Sequence, residues 1–160
     1  MTPRIKFDVV PLSEVPKGDA ASLKSRPVVL IVDDERVIAD TLSIILSKSG
    51  FETHAAYDGP SALALALRVA PQLLISDVVM PGMSGIDLAI SLSSELPQCK
   101  VLLFSGQAST VDLLEEARNS GHNFTTLTKP VHPTDLLKRI SECLALQTSV
   151  HSESALAIAN

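Results

Sequence analysis

Residues 73–85 read LLISDVVMPGMSG, and this stretch decides how the rest of the chain is interpreted. It opens on an apolar run, as expected of a strand that is covered on both faces. A lone carboxylate, Asp77, ends the run, and a Met-Pro-Gly turn follows at 80–82. Asp77 alone fits an ordinary loop aspartate. Its significance therefore depends on which side chains the fold brings beside it.

Short strand-like runs alternate with helical patterns along the chain. In the helical patterns apolar residues recur three and four positions apart, which is typical of amphipathic helices. Helix-end signals accompany them: Gly50, Asp58-Gly-Pro60, Ser84 with Asp87, Ser109 with Asp112, and Pro133. The predicted strands are VVLIV (28–32), ETHAA (52–56), QLLIS (72–76), KVLLF (100–104) and NFTTL (123–127). This five-fold β-then-α alternation predicts an α/β fold with a parallel sheet between helix layers.

Length and composition suit one intracellular domain. The chain has 160 residues, 46% of them hydrophobic, which is enough for a sizeable core. A net charge of -5 argues against a broad electrostatic grip on nucleic acid or an anionic membrane. Two distant cysteines, Cys99 and Cys143, favour a reducing compartment. No segment has the roughly 18 uninterrupted apolar residues of a membrane span. We expect a cytoplasmic protein with a flexible arm or linker at 1–26, a domain at 27–146 and a tail at 147–160. The alternation of Ile5, Phe7 and Val9 leaves a short edge strand open as an alternative within the arm.

Chemically capable side chains follow four of the predicted strands. Ligands of open parallel α/β sheets bind beyond the carboxyl ends of the strands. Carboxylates such as Asp34 and Asp77 are ligands that Mg²⁺ prefers, and a carboxylate is also a nucleophile toward phosphorus. An ammonium and a hydroxyl at the same edge would neutralise and bind a transferred phosphoryl group. Each residue also has a simpler explanation, as a helix cap, a turn residue or a solvated charge. The residues are Asp33, Asp34, Asp77, Ser105 and Lys129.

Four motifs in this order, VLIVDDE, ISDVVMPGMSG, LLFSG and LTKP, resemble the receiver domain of two-component response regulators. The resemblance covers about residues 27–146. It implies a flavodoxin-like (CheY-like) doubly wound sheet of five parallel strands in the order 2-1-3-4-5, with helices on both faces. We expect a receiver of the stand-alone, single-domain type.

The resemblance also implies a phosphorylation site. Asp77 would accept a phosphoryl group from a phosphohistidine on a sensor histidine kinase or a histidine phosphotransfer protein. The implied cofactor is Mg²⁺, which Asp33 and Asp34 would organise. Asp34, Asp77 and the backbone carbonyl of Val79 would be its direct protein ligands.

Ser105 and Lys129 stand at the family's phosphoryl-binding and switch positions, and the Lys129-Pro130 bond is expected to be cis. The family usually has an aromatic residue three positions before the lysine, where this chain has Thr126, and the nearest aromatic is Phe124. We therefore expect the phosphorylation chemistry to be the same as in the family. We expect the conformational coupling that reports phosphorylation to differ.

Two further positions bear on how long the phosphoryl group lasts. Val79 has no polar side chain to orient a hydrolytic water, whereas Gln107 has one. The hypothesis is slow self-dephosphorylation. His132 is a candidate second phosphorylation site or metal ligand, but a structural place before the last helix is the favoured interpretation.

The expected output is a protein contact made by about residues 109–146. No Lys or Arg occurs from Ile140 to Asn160, and nothing after Leu146 fits a helix-turn-helix, so we expect no direct DNA binding. The sequence predicts no oligomeric state. Enzymatic alternatives are disfavoured because a haloacid-dehalogenase-like phosphotransferase needs Asp where Val79 stands, and no P-loop motif occurs. A receiver-fold interaction module that works without phosphorylation is the remaining alternative.

Overall fold

The computed structural model describes residues 25–106, 108 and 110–156. Most of the predicted arm at 1–26 lies outside these residues, as do Gln107 and Ser109. Strands and helices alternate throughout the described part. They are β1 (Val28–Val32), α1 (Arg36–Lys48), β2 (Glu52–Ala56), α2 (Gly59–Val69), β3 (Leu73–Asp77), α3 (Gly85–Glu95), β4 (Lys100–Ser105), α4 (Thr110–Asn119), β5 (Thr125–Thr128) and α5 (Pro133–Leu156).

The five strands form a parallel sheet in the order β2-β1-β3-β4-β5, which confirms the predicted topology. β1 and β3 lie at its centre, and the apolar runs of these strands are buried almost throughout. The chain passes from β1 outward to β2 and then to β3 on the other side of β1, so the strand order reverses between β1 and β3. This reversal is the point at which open α/β sheets place their ligand sites.

Alternate strand residues pack on opposite faces of the sheet. Val29 and Ile31 belong to a core cluster that α1 and α5 cover, whereas Leu30 and Val32 face a cluster built with α2 and α3. A third cluster joins α3 and α4 over β4, around Leu103. The predicted helix layers on both faces are therefore confirmed.

Several helix ends follow the predicted signals. Asp58 caps α2 by accepting a hydrogen bond from the Ser61 backbone N–H at 2.8 Å. Ser84 and Asp87 form a reciprocal capping box at the start of α3. Gly50 follows α1 with a φ of 100°, a left-handed conformation that favours glycine. The predicted cap at Ser109 lies outside the described residues.

Several boundaries differ from those predicted. β3 spans Leu73–Asp77 rather than 72–76, β4 extends to Ser105 rather than ending at 104, and β5 spans Thr125–Thr128 rather than 123–127. Phe124 stays out of the strand because its ring packs into the cluster beneath α4 and stacks on His122, with ring centroids 5.9 Å apart. α5 continues past residue 146 to Leu156, so much of the segment predicted as a tail is helical.

Candidate functional site

The residues predicted to act together lie at one edge of the sheet. Asp33 follows β1, Asp77 ends β3, Ser105 ends β4 and Lys129 follows β5. All four strands run in the same direction, so their carboxyl ends meet at this edge.

Asp33, Asp34 and Asp77 form an acidic cluster. Each offers a carboxylate oxygen, and these oxygens lie within 4.8 Å of one another. Asp33 is buried, Asp77 is half-buried and Asp34 is exposed, so the cluster opens to solvent beside Asp34. Such a set of oxygen donors fits Mg²⁺, which usually takes one or two protein carboxylates and keeps several waters.

Lys129 joins two members of this cluster. Its Nζ atom lies 3.2 Å from Oδ2 of Asp33 and 3.4 Å from Oδ2 of Asp77. Burial raises the pKa of Asp77 above its ordinary value, Lys129 opposes this shift, and the charge of Asp33 adds to it. Burial disfavours the Lys129 ammonium, but Asp77 and Asp33 outweigh that effect and raise the lysine pKa. Three carboxylates against one ammonium leave a net negative charge in the cluster, which favours the binding of a further cation.

Helix capping does not explain the acidic pair. The residue at the N-cap of α1 is Glu35, and its side chain makes no capping hydrogen bond. Asp33 instead accepts a hydrogen bond from the Glu35 backbone N–H at 2.9 Å while its other oxygen contacts Lys129. These contacts orient the buried carboxylate toward the cluster.

The backbone around Asp77 is tightly enclosed. The Ser76 hydroxyl donates to the Asp77 carbonyl at 2.9 Å, and the Gly85 N–H donates to the Val78 carbonyl at 2.9 Å. A Cβ atom on Gly85 would lie 1.9 Å from the Asp77 carbonyl oxygen, so only glycine fits there. The loop after β3 therefore folds back onto the strand end. It leaves the Val79 side chain 42% exposed.

Ser105 is held by its backbone and its hydroxyl. Its carbonyl accepts a hydrogen bond from the Lys129 N–H at 2.9 Å, and its hydroxyl is hydrogen-bonded to that of Thr110, the first residue of α4. The Lys129-Pro130 bond is cis, as the resemblance implied. Sequence reasoning missed the Thr110 contact, and no motif in the chain signals it.

His132 lies outside the acidic cluster. Its Nδ1 atom accepts a hydrogen bond from the Thr134 N–H at 3.3 Å, and its carbonyl accepts from the N–H groups of Asp135 and Leu136. These contacts cap the start of α5, which supports the structural interpretation of this histidine.

A second cluster, also missed from the sequence, joins α1 to the loop after β2. The Tyr57 hydroxyl donates to Asp40 at 2.6 Å, and the Arg36 guanidinium lies 4.1 Å from the centre of the Tyr57 ring.

Thr126, at the position where the resemblance expects an aromatic residue, is exposed on β5.

Comparison with known proteins agrees with this geometry. Residues 29–141 match the family described as the response regulator receiver domain. The chain belongs to this family. It is 35% identical over 116 residues to the probable transcriptional regulatory protein TcrX of Mycobacterium tuberculosis, covering 72% of this chain and 49% of the relative. It is 30% identical over 112 residues to the DNA-binding response regulator MtrA of Mycobacterium leprae, covering 70% and 48%.

Solved receivers share the fold. The chemotaxis protein CheY4 of Vibrio cholerae has 32% sequence identity and a TM-score of 0.66, covering 75% of this chain and 100% of that protein. The receiver chain spans about half the length of the curated relatives it matches.

Within the described residues, no helix is long and apolar enough to cross a membrane.

Proposed function

We propose that this receiver accepts a phosphoryl group on Asp77 from a phosphohistidine of a sensor histidine kinase or a histidine phosphotransfer protein. The observation that carries the proposal is the position of the Asp77 carboxylate. It lies at the sheet edge within the acidic cluster, with its Oδ2 atom 3.4 Å from the Lys129 ammonium. Family membership supports phospho-accepting signalling in general.

The transfer needs a nucleophile and groups that neutralise charge. A carboxylate oxygen of Asp77 forms the new P–O bond while the P–N bond of the donor breaks, and the leaving imidazole keeps the bonding pair. Lys129 balances the charge on the phosphoryl oxygens, and the Ser105 hydroxyl donates a hydrogen bond to one of them. The chain catalyses only its own phosphorylation and dephosphorylation in this proposal.

Asp33, Asp34, Asp77 and the Val79 carbonyl would hold Mg²⁺. When bound, the ion neutralises the negative charge shared by the phosphoryl group and the carboxylates. Asp34 is exposed and therefore offers its oxygen without an added burial cost, whereas the buried Asp33 is already oriented by Lys129 and Glu35.

Phosphorylation would then act as a population shift. The phosphoryl group and Mg²⁺ favour one arrangement of the loops after β3, β4 and β5, and a partner protein binds that arrangement better. The proposed contact surface comprises α4, β5 and α5, and the proposed location is the cytoplasm. Absence of direct DNA binding and the stand-alone type stay predictions, since MtrA is described as DNA-binding and the match covers half of it.

The test is the intact mass of the protein after incubation with acetyl phosphate. Wild type with Mg²⁺ should gain one phosphoryl unit, whereas Asp77→Asn should gain none. Chelation of Mg²⁺ and the Asp34→Asn variant should slow the gain strongly. Glu95→Gln, which removes an exposed carboxylate at the end of α3, is the charge-matched control and should react as wild type does. An unmodified wild type, or an adduct on Asp77→Asn, would refute the proposal.

A further inference from the structure

We propose that Thr110 is a positioning residue that holds the Ser105 hydroxyl on the α4 side of the site until a phosphoryl group draws it away. The inference rests on the proposed function and adds a regulatory contact to it. Its basis is the hydrogen bond between the Ser105 and Thr110 hydroxyls, which joins the end of β4 to the first residue of α4.

The backbone of Ser105 is fixed while its side chain has a choice of rotamers. Its carbonyl accepts a hydrogen bond from the Lys129 N–H at 2.9 Å, and the residue pairs with Thr128 in the sheet. The position of the hydroxyl is therefore set by rotation between staggered positions about the Cα–Cβ bond. In this structure the hydroxyl occupies the position that reaches Thr110.

The Thr110 side chain is well placed to bias that choice. It is 0% exposed, whereas Ser105 is half-buried at the end of β4. Whichever of the two hydroxyls donates in this hydrogen bond, the Ser105 rotamer that reaches Thr110 competes with the rotamer that would donate to a phosphoryl oxygen. One such hydrogen bond changes an equilibrium constant by about two- to tenfold, so Thr110 would set how readily Ser105 turns.

The same contact offers a route from the site to the protein surface. Thr110 begins α4, and the Val111 N–H donates to the Ala108 carbonyl at 3.2 Å in the turn that starts the helix. Release of Ser105 would therefore alter the first turn of α4, next to the exposed side chain of Val111. This route does not need an aromatic residue at Thr126.

The test is a titration with beryllofluoride, a phosphoryl mimic, in the presence of Mg²⁺. Thr110→Val keeps the side-chain shape and removes the hydroxyl, so it should tighten binding by about two- to tenfold. Thr110→Ser keeps a hydroxyl and should bind as wild type does. In the Ser105→Ala background, Thr110→Val should have no effect, which distinguishes positioning of Ser105 from a general structural role.

Unchanged or weaker binding in a folded Thr110→Val variant would overturn the inference, as would an equal effect in the Ser105→Ala background. If Thr110→Val does not fold, the NMR chemical shift of the Thr110 methyl group is the deciding measurement. It should move on beryllofluoride addition in wild type and stay in Ser105→Ala, and any other result overturns the inference. Wild type that fails to bind beryllofluoride would refute the proposed function itself, whereas normal binding with no effect of Thr110 refutes this inference alone.

Discussion

The Nζ atom of Lys129 lies 3.4 Å from Oδ2 of Asp77 and bridges to Oδ2 of Asp33 at 3.2 Å. The lysine thus compensates part of the negative charge before any metal or phosphoryl group arrives. The compensation is incomplete, because burial and the neighbouring Asp33 still raise the pKa of Asp77. The remaining negative charge therefore favours cation binding at this site, and it lowers the stability of the metal-free fold.

Asp77→Asn should stabilise the metal-free domain at neutral pH. The pKa of Asp77 is higher in the folded protein than its ordinary value of 3.8, so proton binding stabilises the fold. This stabilisation is fully present below pH 3.8 and is lost as the pH rises through the folded-state pKa. Asparagine does not titrate, so the difference in stability between Asp77→Asn and wild type should be small in acid and should grow with pH to a plateau. Thermal unfolding in EDTA from pH 3 to about pH 8 measures this difference.

Glu95→Gln is the control for the loss of one negative charge in this series. A wild type more stable than Asp77→Asn at pH 7, with no dependence of the difference on pH, would contradict the role of burial at Asp77.

Gly85→Ala should damage both stability and phosphorylation. The added Cβ atom would meet the Asp77 carbonyl oxygen at 1.9 Å, so the strand end or the start of α3 must move. Overpacking of this kind costs about 3 kcal/mol in the free energy of unfolding. Urea unfolding measures the cost, and the rate of phosphorylation by acetyl phosphate measures the displacement of Asp77.

Gly50→Ala is the matched control, since Gly50 needs glycine for its positive φ and has open space around it, whereas Gly85 needs it for lack of space. It should lose stability through its positive φ and keep the wild-type phosphorylation rate. Equal losses of rate in both variants would argue against a specific effect at Asp77.

Val79→Asn should shorten the life of the phosphorylated state. The Val79 side chain is 42% exposed and has no polar atom to orient an attacking water. An amide that makes one hydrogen bond only in the transition state is worth about five- to tenfold in rate. Decay of the phosphorylated protein, followed by intact mass, should be slow in wild type and faster in the variant. Wild-type decay within seconds would contradict the hypothesis of slow self-dephosphorylation.

The sequence predicted the sheet well because its strands are simple. VVLIV and the VLLF part of KVLLF are continuous apolar runs, which predicts their burial and comes close to the strand bounds. β5 was harder, since TTLT is a polar edge strand and the apolar Phe124 packs under α4 instead of joining it. The continuation of α5 had an available signal, because no Gly or Pro follows Pro133.

The convergence of Asp33, Asp77 and Lys129 was predictable because parallel strands deliver their ends to one edge. The hydroxyl pair of Ser105 and Thr110 was not, because it depends on how a loop returns to the next helix. The role of His132 was open for the same reason. Its ring reaches the Thr134 N–H through a local turn that no spacing rule specifies.

Chemical trapping of the phosphorylated residue tests the central claim most directly. Borohydride reduces an aspartyl phosphate to homoserine with loss of phosphate, and peptide mass spectrometry then locates the reduced residue. After incubation with Mg²⁺ and acetyl phosphate, wild type should carry homoserine at position 77 and Asp77→Asn should carry none. Homoserine at position 33 or 34, or a phosphorylated wild type with no homoserine at position 77, would contradict the account.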